Sequence, residues 1–130
     1  MKIKDITFTK DYKMYKKNMN FIFSSDRINI VAGKGCSGKS TLTRLVHAVS
    51  SSKVNSFNEF VEVKYFKFDP NMDPVIIDNT FNVLSDDEAS VLYKILQKYV
   101  EKLNMQVIIT LRNSSVDNHK IANANWINLP

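Results

Sequence analysis

The sequence predicts an α/β fold in which helices flank a parallel sheet, and three observations lead to this prediction. Short apolar runs rich in β-branched residues recur along the chain, amphipathic segments lie between them, and a glycine-rich loop joins one run to the first amphipathic segment. Strands that alternate with helices favour right-handed crossovers and a ligand at the carboxyl ends of the strands. A chain of 130 residues can bury a real core, so we expect a single domain over residues 1–130.

The first 26 residues are expected to form an antiparallel β-region ahead of a core of residues 27–130. Residues 3–9 and 20–24 are strand candidates on either side of a lysine-rich connection. Residues 1–17 contain six lysines against two aspartates in a chain of net charge +5. This Lys-rich amino-terminal region is consistent with a surface that binds nucleic acid, with Tyr12 and Tyr15 stacking on bases. A solvated edge that discourages aggregation is the other interpretation, and both stay open.

The glycine-rich loop matches the G-x-x-x-x-G-K-[ST] pattern in its expected context. A β-branched strand candidate, residues 28–32, precedes it, and Leu42, Leu45, Val46 and Val49 follow at helical spacing. Backbone N–H groups of such a loop and the positive end of the next helix converge on a phosphate. The predicted nucleotide-binding residues are Gly33, Lys34, Gly35, Cys36, Ser37, Gly38, Lys39, Ser40 and Thr41.

Each residue type in the loop has a chemical reason to be there. Gly33 and Gly38 permit a close approach that a Cβ would block, and Lys39 places a charge between the β- and γ-phosphates. The Ser40 hydroxyl is expected to ligate Mg²⁺, and Thr41 to lie near the α-phosphate. The single cysteine, Cys36, excludes an internal disulfide, and we expect it to be a small residue that fits the loop.

A carboxylate to help hold Mg²⁺ is expected at the end of a neighbouring strand. Residues 74–78 form a short apolar run that ends in Asp78, which we predict as the second metal residue beside Ser40. The alternative is that Asp78, followed by Asn79, only starts a turn.

The remaining elements follow from periodicity and capping signals. Ser85 with Glu88 three residues later is a capping box, which predicts a helix over Asp86–Leu103. Its expected buried stripe is Leu92, Ile95, Leu96, Tyr99 and Leu103. We also predict a polar loop over residues 50–58, strands over 59–68, 106–111 and 126–129, and a turn over 69–74. Without a membrane-length apolar stretch or a signal-like start, we expect no membrane partner and a cytoplasmic location.

From residue 28 onward the sequence resembles the nucleotide-binding core of an ABC-type P-loop ATPase, in the RecF, SMC and double-strand-break-repair branch. The loop at residues 33–41 carries most of the resemblance, residues 75–79 align with the Walker B strand, and residues 107–112 with the strand that leads to the switch histidine. Residues 84–85 fall at the D-loop, residues 121–127 resemble the closing segment, and residues 1–26 resemble that branch's β-region. The resemblance implies that the cofactors are ATP and Mg²⁺.

The departures from the family are also informative. Asn79 stands where the family has the catalytic glutamate, Ser85 replaces the D-loop aspartate, and Arg112 replaces the switch histidine. An amide cannot accept a proton from water, so no catalytic residue is assigned. Arg112 is either a γ-phosphate sensor or a surface cation. Only 34 residues separate Ser40 from Val75, and the signature motif of the family is absent.

Because the family shares each site between two subunits, the resemblance implies that this chain offers at most half a site. We therefore expect weak or absent hydrolysis by the chain alone, and a role as a nucleotide-dependent accessory or inhibitor of a DNA-repair or SMC-like ATPase. The partner is then a second copy or a heteromeric ATPase subunit. Two other functions stay open: a small P-loop kinase or active ATPase, and a nucleic-acid-binding module on a P-loop scaffold. ABC-like cores insert a strand between the P-loop strand and the Asp-bearing strand, so residues 106–111 are expected between residues 28–32 and 75–78. Most nucleotide kinases instead pair the P-loop strand directly with the Asp-bearing strand.

Overall fold

The computed structural model of the chain describes residues 2–34, 38–50, 59–66, 73–112 and 123–129, which form a mixed α/β structure with two sheets. A short 3₁₀ helix, Thr80–Val83, lies between the fifth strand and the second helix. The other elements in chain order are β1 (Ile3–Phe8), β2 (Asn20–Ile22), β3 (Asn29–Gly33), α1 (Lys39–Ser50), β4 (Val61–Tyr65), β5 (Val75–Ile77), α2 (Asp86–Leu103), β6 (Val107–Arg112) and β7 (Asn125–Asn128).

The central sheet is parallel and has the strand order β5-β6-β3-β7. Ile30 of β3 pairs with Ile109 of β6, and Ile76 of β5 pairs with Ile108 of β6. The predicted order is therefore confirmed, because β6 separates the strand before the glycine-rich loop from the strand before Asp78. Every residue of β3 is buried, which explains why residues 30–33 form a continuous apolar run rather than an alternating one.

The second sheet is antiparallel and has the order β2-β1-β4. The two strands predicted in the amino-terminal region pair as expected, with Ile6 opposite Phe21. The third strand of this sheet, β4, comes from a later part of the chain and pairs with β1, with Ile6 opposite Val63. The strand expected over residues 59–68 is thus shorter, Val61–Tyr65, and residues 67–68 lie outside the described residues.

Two apolar clusters cover the two faces of the parallel sheet. Val31 and Ile108 belong to the cluster that includes α1 and the antiparallel sheet, with Leu42, Leu45 and Phe8 fully buried there. Neighbouring Ile30 and Ile109 belong to the cluster under α2. Successive strand residues point to opposite faces, so one apolar run supplies both clusters. Complete burial of one such aliphatic side chain contributes about 1.5–3 kcal/mol.

The helix predicted from the capping box is present, but its predicted buried stripe is wrong in part. Ser85 accepts a hydrogen bond from the Glu88 N–H, and the Glu88 carboxylate accepts one from the Ser85 N–H. The residues of α2 that are buried are Ala89, Leu96 and Val100. Three members of the predicted stripe are instead exposed: Ile95 at 43%, Tyr99 at 41% and Leu103 at 55%.

This error has a simple geometric reason. At about 100° per residue, the face shared by Ala89, Leu96 and Val100 leaves Ile95 on the flank of the helix. The sheet contacts the narrower face, so the apolar band of α2 is wider than the core needs. No helix in the described part of the chain is both long and apolar enough to cross a membrane.

Candidate nucleotide site

The predicted site residues that the structure describes meet at one edge of the parallel sheet. The carboxyl ends of β3, β5 and β6 carry Gly33, Asp78 and Arg112, as parallel strands require. Helix α1 begins at the same edge. The cavity there is lined by Met14, Gly38, Lys39, Ser40, Thr41, Asn79 and Arg112. Gly35, Cys36 and Ser37 of the predicted loop lie outside the described residues, as do residues 51–58, 69–72 and 121–122 of the predicted connections and closing segment.

Lys39 lies at the start of α1, with its ammonium group directed towards the carboxyl end of β3. Its Nζ donates hydrogen bonds of 2.6 Å to the carbonyl oxygens of Gly33 and Lys34. The side chain is only 6% exposed, so the charge is held against the carbonyl oxygens of Gly33 and Lys34 rather than in solvent. The preceding Gly38 has a φ of 96°, a left-handed conformation that favours glycine. These contacts fix a positive charge beside the amino terminus of α1, which itself favours anions.

Ser40 and Asp78, the two predicted metal residues, are in direct contact. Ser40 Oγ donates a 3.0 Å hydrogen bond to Asp78 Oδ2. Two adjacent ligands of an octahedral Mg²⁺, each at about 2.1 Å, lie about 3 Å apart, so this spacing fits the ion. Within the described residues no group of three or more His, Cys, Asp or Glu side chains is placed to bind a metal. The pair instead suits a site where Mg²⁺ takes few protein ligands and completes its shell with phosphate oxygens and water.

A third side chain, Thr110 of β6, orients Asp78, and the sequence reasoning missed it. Thr110 Oγ1 donates a 2.7 Å hydrogen bond to Asp78 Oδ1 and accepts one of 2.9 Å from the Asn79 N–H. The residue is fully buried. A signal did exist, because a lone threonine inside an apolar buried strand must find a hydrogen-bond partner.

Asn79 and Arg112 both line the cavity, and Asn82 of the 3₁₀ helix connects them. Asn82 Nδ2 donates to Asn79 Oδ1 at 3.3 Å, and Asn82 Oδ1 accepts from the Arg112 N–H at 3.0 Å. Asn79 has a φ of 65°, a left-handed conformation that asparagine tolerates better than most residues. The position that would carry a glutamate in the resembled family therefore has a backbone geometry that suits asparagine. The Arg112 side chain is exposed at this edge and available to a ligand.

The turn between β1 and β2 closes the other side of the cavity, which the sequence did not predict. Tyr15 Oη donates a 2.5 Å hydrogen bond to the Gly38 carbonyl. Tyr15 is 1% exposed, and its burial raises the pKa of the phenol well above its usual range. Neighbouring Met14 lines the cavity, and a Cβ on Gly38 would overlap its Sδ. The amino-terminal β-region thus packs directly against the start of α1.

The Lys-rich amino-terminal region is less available to nucleic acid than its composition indicates. Lys2 is buried, with Nζ donating to Asn104 Oδ1 at 2.9 Å. Buried Tyr15 stacks on Phe8 with ring centroids 4.8 Å apart, so the prediction that it stacks on bases is wrong. Tyr12 packs against Phe60. The lysines that remain exposed are Lys4, Lys10, Lys13, Lys16 and Lys17.

Comparison with known proteins adds no family assignment: no protein-family model matches the chain, and no curated protein matches it.

Proposed function

We propose that this protein binds ATP together with Mg²⁺ at the carboxyl edge of the parallel sheet. The observation that supports this best is the contact between Ser40 Oγ and Asp78 Oδ2, beside the buried ammonium of Lys39. A fixed cation, a helix amino terminus and a paired hydroxyl and carboxylate are the groups that bind a metal–polyphosphate complex. The proposed phosphate contacts come from residues 33–41, and Ser40 and Asp78 are the proposed metal residues.

Weak or absent hydrolysis by the chain alone is part of the proposal. Asn79 lines the cavity with an amide, which has no basic oxygen to accept a proton from water. Its left-handed backbone and its contact with Asn82 give it a structural role instead. Binding energy is then available to order a surface, with Arg112 as the group that contacts the γ-phosphate.

The biological role that we propose rests on the resemblance described above. The protein acts in the cytoplasm as a nucleotide-dependent accessory or inhibitor of a DNA-repair or SMC-like ATPase, and a partner completes the shared site. A P-loop kinase is a weaker proposal, because β6 lies between β3 and β5. A nucleic-acid-binding function is supported only by the exposed lysines of the amino-terminal region, and it is the second candidate.

The experiment is a calorimetric titration with ATP, GTP and a non-hydrolysable ATP analogue, each with and without Mg²⁺. We expect ATP and its analogue to bind with similar affinity and to need Mg²⁺ for tight binding. Asp78→Asn should reduce the Mg²⁺ dependence, whereas Asp73→Asn, which changes an exposed aspartate before β5, should not. Turnover is then measured alone and with DNA. No binding of any nucleotide by the folded protein would refute the proposal, and DNA binding without nucleotide would favour the second candidate.

A further inference from the structure

Among the residues that the structure describes, the exposed large apolar side chains are concentrated on one helix and the segment before it. Seven large apolar residues are exposed in the described part of the chain, and five of them lie within residues 83–103. Val91, Ile95, Tyr99 and Leu103 recur every four residues, so they follow one side of α2, and we call these four the α2 flank. Apolar patches that continue along a surface usually mark an interaction site.

The α2 flank borders a groove with an almost wholly apolar lining. Leu84, Val91, Leu92 and Ile95 supply the apolar side chains, and Asp87 and Glu88 lie at the end nearest the start of the helix. The helix is already formed and anchored. A capping box closes its first turn, Asn104 ends it, and Ala89, Leu96 and Val100 hold its opposite face on the sheet. Docking on this surface therefore requires no folding of the helix.

The charges along α2 indicate what fits the flank. Its first turn contains Asp86, Asp87 and Glu88, whereas its later turns contain Lys94, Lys98 and Lys102 against a single acidic residue, Glu101. A helix with this distribution is complementary to a second copy of itself running in the opposite direction. A parallel arrangement would instead place like charges side by side.

Helical spacing also defines the register of such a pair. With Ile95 on the twofold axis, residues equally far from it in sequence meet across the interface. Val91 then lies against the partner's Tyr99, which enters the groove, and Glu88 lies opposite the partner's Lys102. The same patch is used on both copies, as a twofold interface requires.

We propose that the α2 flank is a homodimer interface in which two α2 helices pack antiparallel around Ile95. The interface lies on the face of the sheet opposite α1, so the dimer does not depend on nucleotide. The proposal therefore stands or falls separately from ATP binding.

The first test is the mass of the full chain in solution, measured by light scattering and sedimentation over a concentration series. We expect a monomer–dimer equilibrium for the wild type and a shift to monomer for Ile95→Asp. Ile22→Asp is the matched control, because Ile22 is also an exposed isoleucine, at 63%, but lies on β2. Circular dichroism checks that each variant is folded. A wild type that stays monomeric at every concentration overturns the proposal. Equal weakening of the dimer by Ile95→Asp and Ile22→Asp also overturns it, as does a flank that binds a different protein but not a second copy of this chain.

The second test examines the register by disulfide cross-linking in a Cys36→Ser background, which removes the only native cysteine. A disulfide requires Cα atoms within about 7 Å, so cross-linking reports direct opposition. Ile95→Cys should cross-link with itself under oxidation. Val91→Cys and Tyr99→Cys should each cross-link poorly alone and efficiently when the two variants are mixed. Efficient self-cross-linking of Val91→Cys and Tyr99→Cys, with none in the mixture, would contradict the antiparallel arrangement.

Discussion

Replacing Tyr15 with phenylalanine tests whether the amino-terminal β-region holds the start of α1 in its binding geometry. The change removes only the hydroxyl that donates a 2.5 Å hydrogen bond to the Gly38 carbonyl. The ring keeps its packing, stacked on Phe8 and edge-on to Phe21 with centroids 5.7 Å apart. Any effect therefore comes from the lost hydrogen bond and not from a cavity.

The structure decides the size of the expected effect. An unsatisfied buried carbonyl costs about 1–3 kcal/mol, whereas the net loss of one hydrogen bond costs about 1 kcal/mol. The Gly38 oxygen also accepts a hydrogen bond from the Leu42 N–H at 2.9 Å, so it keeps one partner in the variant. We therefore expect the lower figure: a loss of about 1 kcal/mol in the free energy of unfolding.

A second tyrosine provides a matched control. Tyr65 Oη donates a 2.8 Å hydrogen bond to the Val49 carbonyl, near the other end of the same helix. Tyr65→Phe should lose a similar free energy of unfolding in urea without changing ATP affinity. Tyr15→Phe should in addition weaken ATP binding by up to about fivefold, measured by calorimetry. Equal ATP affinities for the two variants would refute the role that we give to Tyr15.

Three further predictions follow from the same edge of the sheet and from the phenols of Tyr15, which is buried, and Tyr65, which is partly buried. Thr110→Val keeps the side-chain shape but leaves the Asn79 N–H without its partner and frees Asp78 to move. The variant should lose about 1–3 kcal/mol of the free energy of unfolding, measured in urea. It should also need a higher Mg²⁺ concentration to bind ATP, and an unchanged Mg²⁺ titration would contradict this. Under the proposal that a partner completes the site, Asn79→Glu should restore little hydrolysis to the chain alone, and a turnover of about one per second would contradict this. Burial raises the pKa values of Tyr15 and Tyr65, so these two phenols lose their protons at a lower pH in the unfolded chain than in the folded one. Their contribution to the free energy of unfolding should be fully present below pH of about 10 and decrease above it. The decrease should be smaller in Tyr15→Phe when the free energy of unfolding is measured as a function of pH.

Much of the fold was predictable because its signals are local. The order of strand, loop and helix around residues 28–50 and the capping box of Ser85 and Glu88 are fixed by residues close together in the sequence. The position of β6 between β3 and β5 is not local, and it was predicted only through the family resemblance.

The features that were missed depend on distant parts of the chain. No pattern around Tyr15 indicates that its hydroxyl reaches Gly38, 23 residues away. Thr110 and Asp78 meet because β5 and β6 are neighbours, which neither strand reveals alone. The stripe of α2 was misjudged because periodicity shows how wide an apolar band is, not how much of it the sheet covers.

The most direct measurement of the central proposal is calorimetric titration of ATP with Mg²⁺ into the wild type and into Lys39→Ala. Removing a charge-assisted contact costs about 1.5–3 kcal/mol, so the affinity should fall by about ten- to a hundredfold. Lys64→Ala, which removes an exposed lysine of β4, is the control and should bind like the wild type. A folded Lys39→Ala variant with wild-type affinity would contradict binding at residues 33–41.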